Sequence, residues 1–257
     1  MFVDTHCHLT DDKYEDFNLI YQNLVENDIS IAINMGCDLS SSIAGKELAE
    51  KYDKIYFGVG VHPSEIDKFS SSDFDEFVKL SKNDKCLAIG EIGLDYHYDN
   101  IDKESQKKLF VSQLELAKTL KLPVSIHSRD CTEDMLKLLK ENKNLLEYGA
   151  VMHCFSGSLE TAKILLNLGL FISFSGTLTF KNAKNLLEVA DYLPLDKCLT
   201  ETDSPYLSPE PFRGKLNEPK NVKFVLSKLA FIKNLSVEKM ADIVLENTKN
   251  LFYKLKK

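Results

Sequence analysis

In Phe110-Val-Ser-Gln-Leu114-Glu-Leu-Ala117-Lys-Thr-Leu-Lys121-Leu-Pro123-Val-Ser-Ile-His127-Ser128, apolar residues first recur at helical spacing and then crowd into a short run. Phe110, Leu114 and Ala117 follow an i, i+4, i+7 course along one helix face. Lys121-Leu122 ends that helix, because Pro123 cannot continue it. Pro123–Ser128 then reads as a buried strand with a histidine near its end. Outward from this unit the same alternation recurs in both directions. The strand candidates are Phe2–Leu9, Ser30–Gly36, Ile55–His62, Cys86–Gly93, Pro123–Ser128, Ala150–Phe155, Leu170–Gly176 and Lys197–Asp203. Amphipathic segments lie between them, carrying Leu19, Leu24 and Val25 in the first and Phe74, Phe77, Val78 and Leu80 in the third. Gly149 precedes a strand, and Gly169 sits where a helix end favours a left-handed residue. Strand, helix, strand with short loops means parallel strands joined by right-handed crossovers. Eight such units in this length predict an α/β fold, a single (β/α)8 TIM barrel rather than an open doubly wound sheet. Glu218 to Lys257 reads as a C-terminal helical extension with Met240, Ile243, Val244 and Leu251 on one face and a solvated Lys-Leu-Lys-Lys tail. Without a linker or a second pattern, residues 1–257 are expected to form one domain.

The bulk composition fits that reading. The 257 residues include 44% hydrophobic and 28% charged side chains, ample for a large core. Only 11 Gly and 7 Pro exclude collagen-like and low-complexity chains. No apolar run approaches the roughly 18 residues of a membrane span. The opening Met-Phe-Val-Asp-Thr-His lacks a basic segment followed by an apolar stretch, so no signal peptide is expected and the chain reads as cytoplasmic. Cys7, Cys37, Cys86, Cys131, Cys154 and Cys198 are scattered, which fits buried thiols better than a zinc knuckle or a disulfide framework. With 32 Lys plus Arg against 39 Asp plus Glu, the net charge is −7. That balance argues against coating nucleic acid non-specifically. It leaves room for an enzyme that grips a strand end through metal ions.

The six histidines carry the chemistry. His6 and His8 end the first strand candidate, His62 the third and His127 the fifth, and His153 lies near the end of the sixth; His97 alone falls in a loop, after the fourth. In a parallel barrel all C-terminal strand ends face one rim, where barrel active sites are built. Strand alternation puts His6 and His8 on one face, about 6–7 Å apart at Cα, with Cys7 pointing away. The same alternation predicts Asp4 on the face of His6 and His8. Glu91 and Asp203 sit at the ends of apolar runs, where a carboxylate needs a cation or hydrogen bonds. Imidazole with carboxylate suits Zn²⁺, Mn²⁺, Fe²⁺ or Co²⁺, and Mg²⁺ where carboxylate and water dominate.

These segments resemble the TatD family of metal-dependent deoxyribonucleases, among the amidohydrolase-like barrels. The resemblance lies in Val3-Asp4-Thr5-His6-Cys7-His8-Leu9, Gly60-Val61-His62-Pro63, Gly90-Glu91-Ile92-Gly93-Leu94-Asp95-Tyr96, Ile126-His127-Ser128-Arg129-Asp130, His153-Cys154-Phe155-Ser156-Gly157, Glu201-Thr202-Asp203-Ser204-Pro205-Tyr206-Leu207 and Arg213-Gly214-Lys215-x-Asn217-Glu218-Pro219. It spans nearly the whole chain, in order. It implies two divalent ions, Mg, Mn or Zn: His6, His8 and Asp203 on one, His127 and His153 on the other, Glu91 bridging. Related barrels bridge with a carbamylated lysine from the fourth strand; here Glu91 stands instead.

The implied reaction is hydrolysis of DNA phosphodiesters by hydroxide held between the ions, with 3'–5' exonuclease action on single-stranded ends expected. Asp203 and Glu91 would be catalytic as well as ligating. His62 would position phosphate or move a proton. Arg129 would pair a phosphate, or else Asp130 or Glu133. Glu201, two residues before Asp203, would hydrogen-bond a ligand histidine and fix its tautomer. Arg213 and Lys215, in the long Pro-rich loop after the eighth strand, would meet backbone phosphate. Tyr96, Phe155, Phe180 and Tyr206 would stack bases or pack. The expected partner is a nucleic acid, with no membrane and no obligate protein partner. Two alternatives stand: a deacylase acting on D-aminoacyl-tRNA or another ester or amide, and a non-catalytic metal-binding protein.

Overall fold

The computed structural model describes residues 1–99 and 101–256. Eight strands run in sequential order around a nearly closed parallel barrel. They are β1 (Phe2–Cys7), β2 (Ile29–Met35), β3 (Ile55–Val59), β4 (Cys86–Asp95), β5 (Val124–Arg129), β6 (Ala150–Met152), β7 (Phe171–Phe174) and β8 (Cys198–Thr200). Between them lie α1 (Phe17–Glu26), α2 (Leu39–Lys51), α3 (Asp73–Leu80), α4 (Lys103–Leu120), α5 (Thr132–Glu141), α6 (Leu159–Asn167) and α7 (Lys184–Tyr192); α8 (Val222–Ile232) and α9 (Val237–Leu251) follow β8. Among the described residues no helix is long and apolar enough to cross a membrane.

Helix starts follow local chemistry. Asp16 accepts from the amides of Asn18 and Leu19 to begin α1, and Asp38 with Ser41 forms a capping box on α2. Phe110, Leu114 and Ala117 are fully buried on α4, facing the strands. A helix-facing core layer includes Phe57, Phe77, Ile126 and Phe174. A second apolar cluster joins Val3, Ile31, Leu87, Val151 and Leu199 from five strands with Leu251 and Phe252 from the C-terminal end. Phe252→Ala is expected to cost about 3–5 kcal/mol and to lower Tm by roughly 6–20 °C. Calorimetry checks this, and a Tm within about 2 °C of the parent would show that the cluster tolerates the cavity.

Most strands end earlier than the sequence suggests, because the residues that follow turn out of the ladder toward the rim. β5 runs one residue past its candidate end, to Arg129, and β4 two, to Asp95. β4 continues past Gly93 because Leu94 and Asp95 pair with Ser128 and Arg129. Gly93 permits this close approach, since a Cβ there would lie 2.0 Å from the His127 carbonyl oxygen. The register of β1 on β2 slips between Asp4 and Cys7, so strict alternation fails there. The barrel closes beyond the strand ends, where the Asp203 amide donates to the His6 carbonyl (3.0 Å) and the His8 amide to the Ser204 carbonyl (2.7 Å).

The C-terminus departs from a solvated tail. Tyr253–Lys256 forms a short 3-10 turn, and Lys254 Nζ donates to the Ser81 (2.9 Å) and Asn83 (3.2 Å) carbonyls. Lys257 lies outside the described residues.

Candidate metal centre

Six side chains from five strand ends meet at one rim. His6 lies on β1 and His8 just past it, Glu91 on β4, His127 on β5, His153 directly after β6 and Asp203 shortly after β8. The backbone bonds that close the barrel hold Asp203 against His6 and His8. Asp203 also adopts a left-handed φ of 55°, a conformation that costs an L-residue energy and here aims its carboxylate at His8.

Glu91, only 3% exposed, is the centre of the arrangement. Its Oε2 lies 3.3 Å from both His6 Nε2 and His8 Nε2. Its Oε1 lies 2.8 Å from His127 Nδ1 and 2.7 Å from His153 Nε2. Asp203 Oδ1 is 3.3 Å from His8 Nε2 and 3.9 Å from His6 Nε2. One carboxylate thus divides its oxygens between two donor sets.

The outer contacts fix which nitrogen faces inward. His8 Nδ1 lies 3.1 Å from the Met35 carbonyl and His153 Nδ1 3.2 Å from Glu201 Oε1. A carbonyl and a carboxylate only accept, so both Nδ1 atoms carry hydrogen and both Nε2 lone pairs point at Glu91. His6 Nδ1 is held 3.1 Å from Ser125 Oγ. Lone pairs of nitrogen and carboxylate therefore face one another within hydrogen-bond range, an arrangement that a proton or a metal cation between them relieves. Two His with Asp203, and two His with Glu91, are N/O donor sets suited to divalent metals.

Charge distribution agrees. Burial opposes ionisation of Glu91, but His153, His62 and His6 more than offset it and hold its carboxyl well below the usual range. Burial opposes charge on His153, yet Glu91 and Glu201 push it well above an ordinary histidine. His8 is raised likewise, burial being outweighed by Cys37, Asp203 and Glu91. Without metal, protons supply the missing positive charge. Glu201 Oε2 is also buried, with no hydrogen-bond partner among the described residues.

The remaining candidates are placed as follows. His62 Nε2 lies 3.6 Å from Glu91 Oε1, and its Nδ1 accepts from the Ser64 amide (3.1 Å), so Nε2 carries the hydrogen. Burial pushes His62 down to about 4, which keeps it neutral. Arg129 has its nearest carboxylate in Asp95, at 4.0 Å, rather than in Asp130 or Glu133. Asp130 pairs with His97 Nδ1 at 2.9 Å. Arg213 stacks on Phe180 (4.3 Å to the ring centre), and Lys215 is exposed in the same loop, its ammonium 5.9 Å from the Phe212 ring centre. Phe155 is buried, which removes it from any open stacking platform. Tyr206 is exposed beside His8, its hydroxyl donating to Asp11 Oδ2 (2.6 Å). Tyr96 donates to Asp134 Oδ2 (2.8 Å). Asp4 turns away from the imidazoles: it accepts from the Thr202 amide (2.9 Å) and the His6 amide (3.3 Å), a consequence of the register slip.

Sequence reasoning gave no role to Asp95. Its Oδ2 lies 3.3 Å from His127 Nε2 while its Oδ1 accepts from the His97 amide (2.9 Å). It sits four residues after Glu91 on β4, so the same reading of acids at strand ends would have found it had the strand not been ended at Gly93. Ser125 and the Met35 carbonyl carry no such signal.

A sequence profile described as TatD related DNase matches residues 3–253. The chain is 41% identical over 253 residues to the uncharacterized metal-dependent hydrolase YabD of Bacillus subtilis, covering 98% of this chain and 99% of that protein. It is 37% identical over 255 residues to the uncharacterized metal-dependent hydrolase YcfH of Escherichia coli K12, covering 98% and 95%. The crystal structure of YJJV, a TatD homolog from Escherichia coli K12, superposes with a TM-score of 0.92 at 32% identity, covering 98% of each chain.

Proposed function

The chain belongs to the TatD-related DNase family of metal-dependent hydrolases, and from that premise we propose that it hydrolyses DNA phosphodiesters, as a 3'–5' exonuclease on single-stranded ends, with two divalent ions. The observation that carries this reading is the division of the Glu91 oxygens between two imidazole sets. In it, His6, His8 and Asp203 would hold one ion, His127 and His153 the other, and Glu91 would serve both. Bound divalent cations lower the pKa of water from about 15.7 toward 7 and offset phosphate charge, so no Ser or Cys nucleophile is required.

The chain's own residues do the rest. Asp203, the more exposed of the two central carboxylates, accepts the proton of the attacking water. His62, neutral with hydrogen on Nε2, donates to a phosphate oxygen at the mouth. Arg129, its guanidinium without a carboxylate at hydrogen-bond range among the described residues and 45% exposed, can turn to a second phosphate oxygen. Arg213 and Lys215 approach the flanking backbone from the loop after β8. Glu201 holds His153 by its Nδ1 hydrogen, and Glu201→Ala is expected to weaken metal affinity about 10–100-fold. Metal titration by calorimetry reads this directly; unchanged affinity would remove Glu201 from the site. The reading takes residues 1–257 as one catalytic domain and its location as cytoplasmic, which the six free thiols among the described residues support.

The test is an assay on end-labelled single- and double-stranded oligonucleotides, with Mg²⁺, Mn²⁺ or Zn²⁺ returned to chelator-stripped protein and D-aminoacyl-tRNA as control. A ladder shortening from the 3' end supports the proposal. Silence on DNA with turnover of the control would replace it with the deacylase reading. With a net charge of −7 and few cationic groups at the rim, the rate on long DNA is expected to fall with a shallow slope as salt rises. A steep log–log slope in a salt series would contradict this.

A further inference from the structure

A cavity of about 170 Å³ opens beside the metal centre, between the loops that follow β5 and β6, and His153 forms part of its wall. Met135, Met152, Phe155 and Leu165 give it an apolar floor, all of them buried. Ser128 and Ser156 place hydroxyls at its rim. Among the described residues no lysine or arginine lines it, and the one charged residue there apart from His153 is the acid Asp130.

This chemistry selects an occupant. An anion is excluded, because Asp130 repels it and nothing cationic receives it apart from the metal-facing imidazole. A saturated aliphatic group would leave the hydroxyls unused. A flat ring with polar edges uses both the floor and the rim. Size sharpens the choice, since an apolar cavity of about 150 Å³ holds one benzene ring. A single six-membered ring fits where a fused pair does not. Resting on the phosphodiesterase reading above, we propose that this cavity receives a pyrimidine base of a nucleotide flanking the scissile phosphate and gives the enzyme a pyrimidine preference there. His153 belongs both to the metal centre and to the cavity wall, so a phosphate drawn to metal at that centre would adjoin the cavity and the neighbouring base could enter it. Phe155 then serves from beneath as part of the floor rather than as an open stacking surface.

The test compares short single-stranded oligonucleotides carrying thymine, adenine or a base-free tetrahydrofuran residue on either side of the scissile bond. The metal-loaded parent is set against Leu136→Trp and Ser156→Trp. Leu136 is half-buried on α5 and Ser156 is exposed, so neither change opens the core. In the parent, removal of the base at one of the two positions is expected to lower kcat/KM about tenfold, with adenine falling between. In the variants that ratio shrinks to about twofold or less, read on protein that still turns over the base-free substrate. An independent readout uses methyl-labelled methionine: the Met135 and Met152 resonances are expected to shift on addition of thymidine 5'-monophosphate and to stay in place with inorganic phosphate. Hydrolysis without base discrimination, or methionine signals that ignore the nucleotide, overturns the cavity assignment. Methionine shifts in a protein that cleaves no phosphodiester would uphold the cavity and overturn the function proposed for the metal centre.

Discussion

Glu91→Gln is expected to lower kcat on oligonucleotides about 10³-fold or more, the equivalent of about 4 kcal/mol of transition-state stabilisation. The substitution keeps the side chain's shape and changes one oxygen to an amide nitrogen, which has no lone pair to offer a metal. Whichever way the amide turns, one of the two imidazole sets loses its shared donor. The neutral amide also removes the charge that faces His6, His8, His127 and His153. Metal content should fall by at least one ion per chain while the circular dichroism of the barrel persists. Asp203→Ala is expected to act in the same direction, through one ion only. A Glu91→Gln protein that keeps parental turnover and full metal content would place the chemistry elsewhere.

Metal removal is expected to destabilise the fold strongly. A ligand present at about 1,000 times its Kd adds about 4 kcal/mol for each site, worth roughly 8–16 °C of Tm in a chain of this size. The donors come from strands far apart in the sequence, so the proposed ions would tie β1, β4, β5, β6 and β8 together at the rim. Chelation should therefore lower Tm by about 10 °C or more, reversibly, in differential scanning calorimetry. The effect depends on pH with a definite sign. In the metal-free protein His8 and His153 are shifted upward and hold protons that an entering ion must displace. As pH falls through the histidine range those protons compete better, so metal affinity drops and the gap in Tm between loaded and stripped protein narrows from about pH 8 to about pH 6. A gap independent of pH, or no gap, would mean that these imidazoles do not receive the metal.

The barrel and the meeting of its histidines were legible in the sequence because both follow from periodicity. Short buried runs alternating with helical ones leave one topology at this length, and parallel strands bring their C-terminal ends to one rim whatever their separation along the chain. What periodicity cannot show is where alternation breaks. Asp4 was expected beside His6 and instead caps the Thr202 amide, because β1 shifts register within its second half. Asp95 was passed over because β4 was ended at Gly93, a residue that serves the strand by letting β5 approach. Lys254 looked like part of a charged tail and donates to the carbonyls closing α3, a contact between distant segments that no local pattern encodes. The anchors of His6 and His8, a serine hydroxyl and a main-chain carbonyl, are invisible for the same reason.

The most direct test is anomalous diffraction from crystals of the protein reconstituted with Mn²⁺. Two peaks are expected at the rim, one among His6, His8 and Asp203 and one between His127 and His153, each in contact with a different oxygen of Glu91. One peak, peaks that leave Glu91 untouched, or none at full Mn²⁺ loading would contradict the two-ion centre.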